Sequence, residues 1–208
     1  MKISKHIHSC LLVEEKNQTV LFDPGDFSYE NKALDISKLT RLNYILITHQ
    51  HADHCHPPFI QELVSKFPDA KIITNPSVQT FLKTANLVSE TSGNEYAALV
   101  QTPHEKIWSA QQIENTTFTL FNKLTHPGDS LHFTRTAEIL ALPLTAPWGS
   151  TTAMIEKALD LKPKIIIPIH DYLWRDEIRM GMYKRLTNYF ANLGIQFKGI
   201  ETGEVIEV

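Results

Sequence analysis

Residues 45–58 read ILITHQHADHCHPP, with four histidines and an aspartate inside the eight positions from His49 to His56. A β-branched apolar run precedes them and two prolines follow. Residues 44–49 (YILITH) read as a short buried strand. Pro57 and Pro58 open a helix, because proline is tolerated in a first helical turn. The chain must bend sharply between the two, and the bend is made of titratable groups. At a strand end, side chains two apart share a face, which sets His49 beside His51. Asp53 and His54 follow within one turn, so four donors can converge on a small volume from two directions. Imidazole suits zinc, manganese or iron, and carboxylate accepts the harder of these cations. A catalytic zinc takes three protein ligands and keeps a position open for water. This loop offers more donors than that, which points to two metals. His56 falls outside the pattern and is expected as polar surface at the start of the helix.

The rest of the chain alternates. SCLLVEE and TVLFDPG read as strands joined around Lys16, Asn17 and Gln18. FIQELVSKF places Phe59, Ile60, Leu63, Val64 and Phe67 at helical spacing. KIITN reads as a strand and SVQTFLKTA as a helix capped by Ser77. YAALVQTPH and TFTLFNKLTH each read as one strand, EILALPLTA as an apolar strand, TTAMIEKALDL as a helix and KIIIPIHD as a strand. DEIRMGMYKRLTNYFANLG is a long amphipathic helix stopped at Gly194, and FKGIETGEVIEV is expected to close as a hairpin. Antiparallel hairpins mixed with strand–helix crossovers indicate an α/β chain of two packed sheets with helices outside. No repeat or linker divides residues 1–208, so one domain is expected.

Composition narrows the function. A net charge of −3 gives no basic stripe of the kind nucleic-acid binding needs, so nucleic acid is not the expected partner and a small molecule is. The apolar run at Cys10–Val13 is too short for a signal peptide core, and AEILALPLTAPW is interrupted by prolines. A cytoplasmic protein with no membrane span is expected. Two cysteines cannot build a disulfide framework, and both are expected reduced. Ten histidines are the unusual ingredient.

A second metal needs donors from elsewhere, and three later segments supply them at strand ends: His104 in LVQTPHE, Asp129 in LTHPGDS and His170 in IIIPIHDY. Taken singly, a histidine at a strand end is more often a satisfied polar group than a ligand. Three such segments beside the first cluster are a different matter.

In order, THQHADH, TPHE, HPGDS and PIHD resemble the metallo-β-lactamase superfamily. The opening HSCLLVEEKNQTVLFDPGD is similar to its predicted metal-dependent hydrolases related to L-ascorbate-6-phosphate lactonase. The resemblance runs from about His8 to Asp171. It implies a four-layer αβ/βα sandwich of two mixed β-sheets with outer helices and a dinuclear site between the sheet edges. Carried over by position, His49, His51 and His104 would hold one ion, and Asp53, His54 and His170 the other, with Asp129 bridging. His126 competes with His104 for the third place and is otherwise expected behind the ligands. Asp23 is expected either to orient a histidine ring or to form the turn before Pro24. His8 is expected near the site or on a strand edge. Trp148 is expected at the substrate mouth. Asp171 and Tyr172 are weaker candidates for the pocket, and Cys55 is expected to be a buried thiol. The implied cofactors are two divalent ions, zinc first, with manganese or iron as alternatives. The implied reaction is hydrolysis of an ester, lactone, amide or phosphoester by a hydroxide bridging two metals, with Asp53 as a catalytic proton acceptor. Alternatives are a phosphodiesterase or RNA-processing nuclease of the same fold, an oxygen-activating iron enzyme, and a non-catalytic metal-binding scaffold.

Overall fold

The computed structural model describes residues 1–108 and 111–208. Among them, β1 (Lys2–Lys5), β2 (Leu11–Glu15), β3 (Gln18–Phe22), β4 (Tyr44–Leu46), β5 (Lys71–Ile73) and β12 (Val205–Glu207) form one sheet, in the order β12-β1-β2-β3-β4-β5. A second sheet runs β11-β10-β9-β8-β7-β6. Its strands are β6 (Ala97–Pro103), β7 (Glu114–Leu120), β8 (Leu124–His126), β9 (Ile139–Pro143), β10 (Ile165–Ile169) and β11 (Gln196–Phe197). Both sheets are mixed. β1, β2 and β3 pair antiparallel and β3, β4 and β5 parallel, while β6, β7 and β8 pair antiparallel and β8 to β11 parallel.

Period-two alternation sorts the apolar residues into layers. Leu11, Val13, Val20 and Phe22 face Phe118, Leu120, Ala141, Ile167 and Ile169 of the other sheet in a shared core. Phe22 and Phe118 meet edge to face, with ring centroids 6.1 Å apart, worth about 1 kcal/mol beyond area burial. The intervening Leu12, Leu21 and Ile45 point outward onto α2 (Pro57–Lys66) and α3 (Pro76–Lys83), through Phe59, Ile60, Leu63, Val78 and Leu82. On the far side, Leu140, Leu142 and Ile166 pack on α4 (Thr151–Leu161) and α5 (Asp176–Ala191), through Met154, Ala158, Leu186 and Phe190. The result is an αβ/βα sandwich. No helix among the described residues is long and apolar enough to cross a membrane.

Three expectations change, and one strand is new. The helix at Pro76 is capped by Asn75, whose side chain accepts from the Val78 N–H at 3.0 Å; Ser77 already lies inside it. TFTLFNKLTH is a hairpin, because Phe121 and Asn122 both turn left-handed (φ 54° and 57°). A two-residue left-handed turn suits the twist of paired strands, but a phenylalanine in it hides the signal. The C-terminal segment is no hairpin: β11 joins β10 in one sheet and β12 joins β1 in the other. The segment KISK near the N-terminus is itself a strand, buried at Ile3, Ser4 and Lys5.

Candidate metal centre

The donors gather where strands of both sheets end at one edge of the sandwich. β4 runs on through Ile47, whose N–H donates to the Ile73 carbonyl, and delivers His49. His104 follows β6, Asp129 follows β8, and His170 follows β10. His8 sits in the turn between β1 and β2, and Asp23 follows β3. At the bend after β4, a Cβ built on Gly25 would overlap the Asp53 carbonyl. Only glycine lets the β3 turn press so closely against the histidine-rich loop.

Two groups result. His49, His51, His104 and Asp129 lie with one donor atom each within 4.8 Å of one another, and so do His8, Asp53, His54 and His170. Asp129 reaches both. Its Oδ1 lies 2.7 Å from His170 Nε2 and 3.2 Å from His54 Nε2, and its Oδ2 lies 3.5 Å from His104 Nε2 and 3.9 Å from His49 Nε2. The Trp148 indole N–H also donates to Oδ2, at 2.6 Å. Although Oδ1 is within hydrogen-bond length of His170, the two are not aligned as donor and acceptor. Oδ1 therefore stays unpartnered, as do His49 Nε2, His104 Nε2 and His8 Nδ1, all buried. A buried polar atom left without a partner costs about 1–3 kcal/mol. Lone pairs of imidazole and carboxylate facing one another in this way fit a divalent cation.

Buried carboxylates organise the rings. Asp23, fully buried, accepts from the Thr48 N–H and the Thr48 hydroxyl, each at 2.8 Å, and from His54 Nδ1 at 2.7 Å. This fixes the His54 tautomer and turns Nε2 toward Asp129. His8 Nε2 lies 3.1 Å from Asp53 Oδ2. Asn115 holds the Asp129 turn: its side-chain oxygen accepts from the Asp129 N–H at 3.0 Å, and its amide donates to the Pro127 carbonyl at 2.9 Å. Thr48 and Asn115 are absent from the sequence reading. Thr48 carries a signal in hindsight, a hydroxyl wedged between a buried strand and the first histidine; Asn115 carries none.

His126 lies outside both groups. It is buried against Phe22, ring centroids 4.8 Å apart, with Nε2 3.0 Å from the Ser9 carbonyl and Nδ1 accepting from the Gly128 N–H at 3.3 Å. Both of its nitrogens are engaged, whereas His104 keeps Nε2 free. Asp171 faces away from the donors, toward Lys5 and Tyr183, and Tyr172 packs on Phe27. Cys55 is a free, buried thiol that burial pushes up to about 12. His56 caps the start of α2 with its ring against Tyr29.

Burial would raise the acids and lower the bases, but the charges partly override it. Burial alone would raise Asp129, yet His170, His54 and His49 hold it well below the usual carboxylate range. Burial would likewise raise Asp53, but His54 and His8 keep it low. His54 is the exception among the rings: Asp129, Asp23 and Asp53 outweigh its burial and hold it well above its ordinary value. Burial pushes His8 down to about 4 and keeps His49 and His51 low as well. Two ionised carboxylates thus face His8, His49 and His51 rings that burial favours in the neutral form a metal ligand takes, while His54 would have to give up its proton to a metal.

A cavity of about 340 Å³ opens onto His8, His51, Asp53, Asp129 and His170, with Trp148 in its wall. A larger one, about 690 Å³, lies beside α1 (Asp26–Glu30) and α2 and contains no histidine. Chemistry, rather than size, marks the first as the site.

Residues 2–170 match the profile of the beta-lactamase superfamily domain. Protein Rv0786c of Mycobacterium tuberculosis is 30% identical over 206 residues, covering 90% of this chain and 92% of its own. A UPF0173 metal-dependent hydrolase of Nanoarchaeum equitans is 24% identical over 200 residues, covering 84% of this chain and 85% of its own. Among solved structures, Igni18, a metallo hydrolase from Ignicoccus hospitalis, superposes with a TM-score of 0.68 at 16% identity, covering 100% of this chain and 98% of that one.

Proposed function

Because the chain belongs to the beta-lactamase superfamily, we propose that it is a metal-dependent hydrolase whose paired donor groups hold two divalent ions. His49, His51 and His104 would take one, and Asp53, His54 and His170 the other, with the Asp129 carboxylate shared. Zinc is the first choice for a set so rich in imidazole; manganese and iron are alternatives that the carboxylates accept. The chemistry such ions supply is a water acidic enough to attack at neutral pH and polarisation of the target carbonyl or phosphoryl oxygen. The reaction is cleavage of an ester, lactone, amide or phosphoester bond in a small molecule. The relative named as a metal-dependent hydrolase supports this reading, and the likeness of the opening segment to the lactonase relatives keeps lactones in the range.

The chain's own residues divide the work. Asp53 lies at the cavity with Oδ2 held by His8. Among the described residues no hydrogen bond engages its Oδ1, which is left to accept the proton released when water attacks. Trp148 and the turn around it wall the cavity. Asp23 and Thr48 keep His54 in one tautomer.

The observation that carries the proposal is Asp129, one carboxylate with each oxygen turned to a different histidine group. Elemental analysis and metal titration test it. Two equivalents are expected in the native chain, and weaker binding of both in Asp129→Ala. Asp53→Ala is expected to lose about 10²–10⁴-fold in turnover while keeping its fold. Saturation at one equivalent, or full turnover in metal-loaded Asp53→Ala, counts against the reading.

A further inference from the structure

The walls of the cavity beyond the donors are uncharged. Phe27, Ile107, Ala146, Pro147, Trp148 and Leu173 form most of them. Among the described residues, which include all twenty lysines and arginines, none of these lines the cavity. Among the described residues its carboxylates are Asp53 and Asp129, which belong to the donor groups. Thr145 adds an uncharged hydroxyl to the lining, and the Trp148 N–H is already engaged by Asp129 Oδ2. A substrate phosphate or carboxylate remote from the reacting bond would meet no cation here, and burying an unpaired charge is strongly unfavourable. An apolar group would instead gain from leaving water, by about fourfold in affinity for each buried methylene. The volume, about 340 Å³, lies at the small end for ligand sites and leaves room for one modest group beside the reacting bond.

From these walls we infer that the non-reacting part of the substrate is an uncharged, apolar acyl or aryl group, and that phosphorylated and carboxylated compounds are rejected on that side. This rests on the hydrolase reading for the chemistry and on the walls alone for the selectivity. The opening's likeness to a lactonase of a sugar phosphate therefore does not extend to its substrate's phosphate.

The test uses the full chain loaded with zinc and two esters of one leaving group, p-nitrophenyl hexanoate and the p-nitrophenyl half-ester of adipate. Both acyl chains have six carbons, and only the second ends in a charge. The hexanoate is expected to be favoured at least tenfold in kcat/KM. Leu173→Arg, at a rim position 63% exposed, is expected to narrow that ratio a few-fold by supplying the missing cation. Equal rates, or preference for the half-ester, would overturn the inference while leaving the hydrolase reading standing. If neither ester is cleaved, the hydrolase reading of these substrates fails, and binding of hexanamide against adipamic acid by calorimetry still decides the selectivity. Tighter hexanamide sustains it; equal or tighter adipamic acid, or no binding of hexanamide, overturns it.

Discussion

Replacing Asp23 by Asn tests whether a residue that touches no metal ligand group except through His54 governs the site. The carboxylate takes three hydrogen bonds: from the Thr48 N–H, the Thr48 hydroxyl and His54 Nδ1. In Asp23→Asn the amide oxygen keeps the Thr48 N–H. The Thr48 hydroxyl can rotate to accept from the new NH₂ while its oxygen still accepts from His49 Nδ1–H, 3.0 Å away. His54 has no such escape. Its Nδ1–H would face an N–H, so the ring must shift its proton to Nε2, the atom that points at Asp129 and His170. That atom then no longer offers a lone pair. Loss of an orienting partner of this kind typically costs 10–100-fold in metal affinity, or about 1.4–2.7 kcal/mol. Competition against a chromophoric chelator measures it, with circular dichroism to verify the fold. A folded Asp23→Asn protein that binds metal within twofold of the native chain would refute the orienting role.

Three further outcomes follow from the same geometry. Lys5→Met should cost about 3–5 kcal/mol in urea unfolding, because it strands Asp171 in a buried site where Lys5 Nζ reaches both its oxygens at 2.5 and 2.6 Å. Lys5→Met/Asp171→Leu should recover most of that loss, since the Tyr183 hydroxyl can turn to the Ile200 carbonyl at 3.4 Å; a double variant as weak as the single would count against a charge-pair account. His104→Ala should weaken metal binding, whereas His126→Ala should cost about 2–4 kcal/mol of stability with metal stoichiometry unchanged; the reverse pattern would reassign the ligand. In the metal-free chain, burial holds the His6 ring below its usual pKa, with its nitrogens engaged by Ser4 and the Ala33 carbonyl. The unfolded ring takes up its proton first as pH falls below about 6.5, so stability is lost on acidification, by at most about 1.4 kcal/mol per pH unit from this group. Urea midpoints at pH 7.5 and 5.5 should converge more in His6→Gln than in the native chain, and an unchanged slope would remove His6 from the acid sensitivity.

What the sequence discloses is local chemistry attached to apolar periodicity. His49, Asp129 and His170 each follow an apolar run, so their placement at strand ends is legible, and the alternation in LLVEE and TVLF sorts inner from outer faces. What it hides depends on contacts far along the chain. KISK looks too polar for a buried strand because the partner of Lys5 is Asp171, 166 residues away. The last strands invite a hairpin because neighbours in sequence usually pair, whereas β11 and β12 are each held by a different sheet. Phe27, Ile107 and Leu173 carry no mark of a pocket at all; only the turns that bring them beside Asp53 make them one.

The backbone supplies the reason these turns persist. Ile7, His8, Asp23 and His170 all adopt left-handed φ, between 43° and 68°. Residues with a Cβ resist that region by about 1–2 kcal/mol each, and a β-branched isoleucine resists it most. Such strain survives only where surrounding contacts over-determine it. They do so here: the His170 N–H donates to the His8 carbonyl at 3.3 Å, joining a turn of one sheet to a strand end of the other. Behind that contact, Lys5 and Asp171 clamp the same two segments together. The left-handed turns aim His8 and His170 at each other, with ring centroids 3.8 Å apart, and into the donor cluster. A relaxed backbone would carry both rings elsewhere. The buried ion pair, outside both donor groups, is thus tied to function through the conformation it holds: loosening it should disturb the second donor group before it unfolds the sheets.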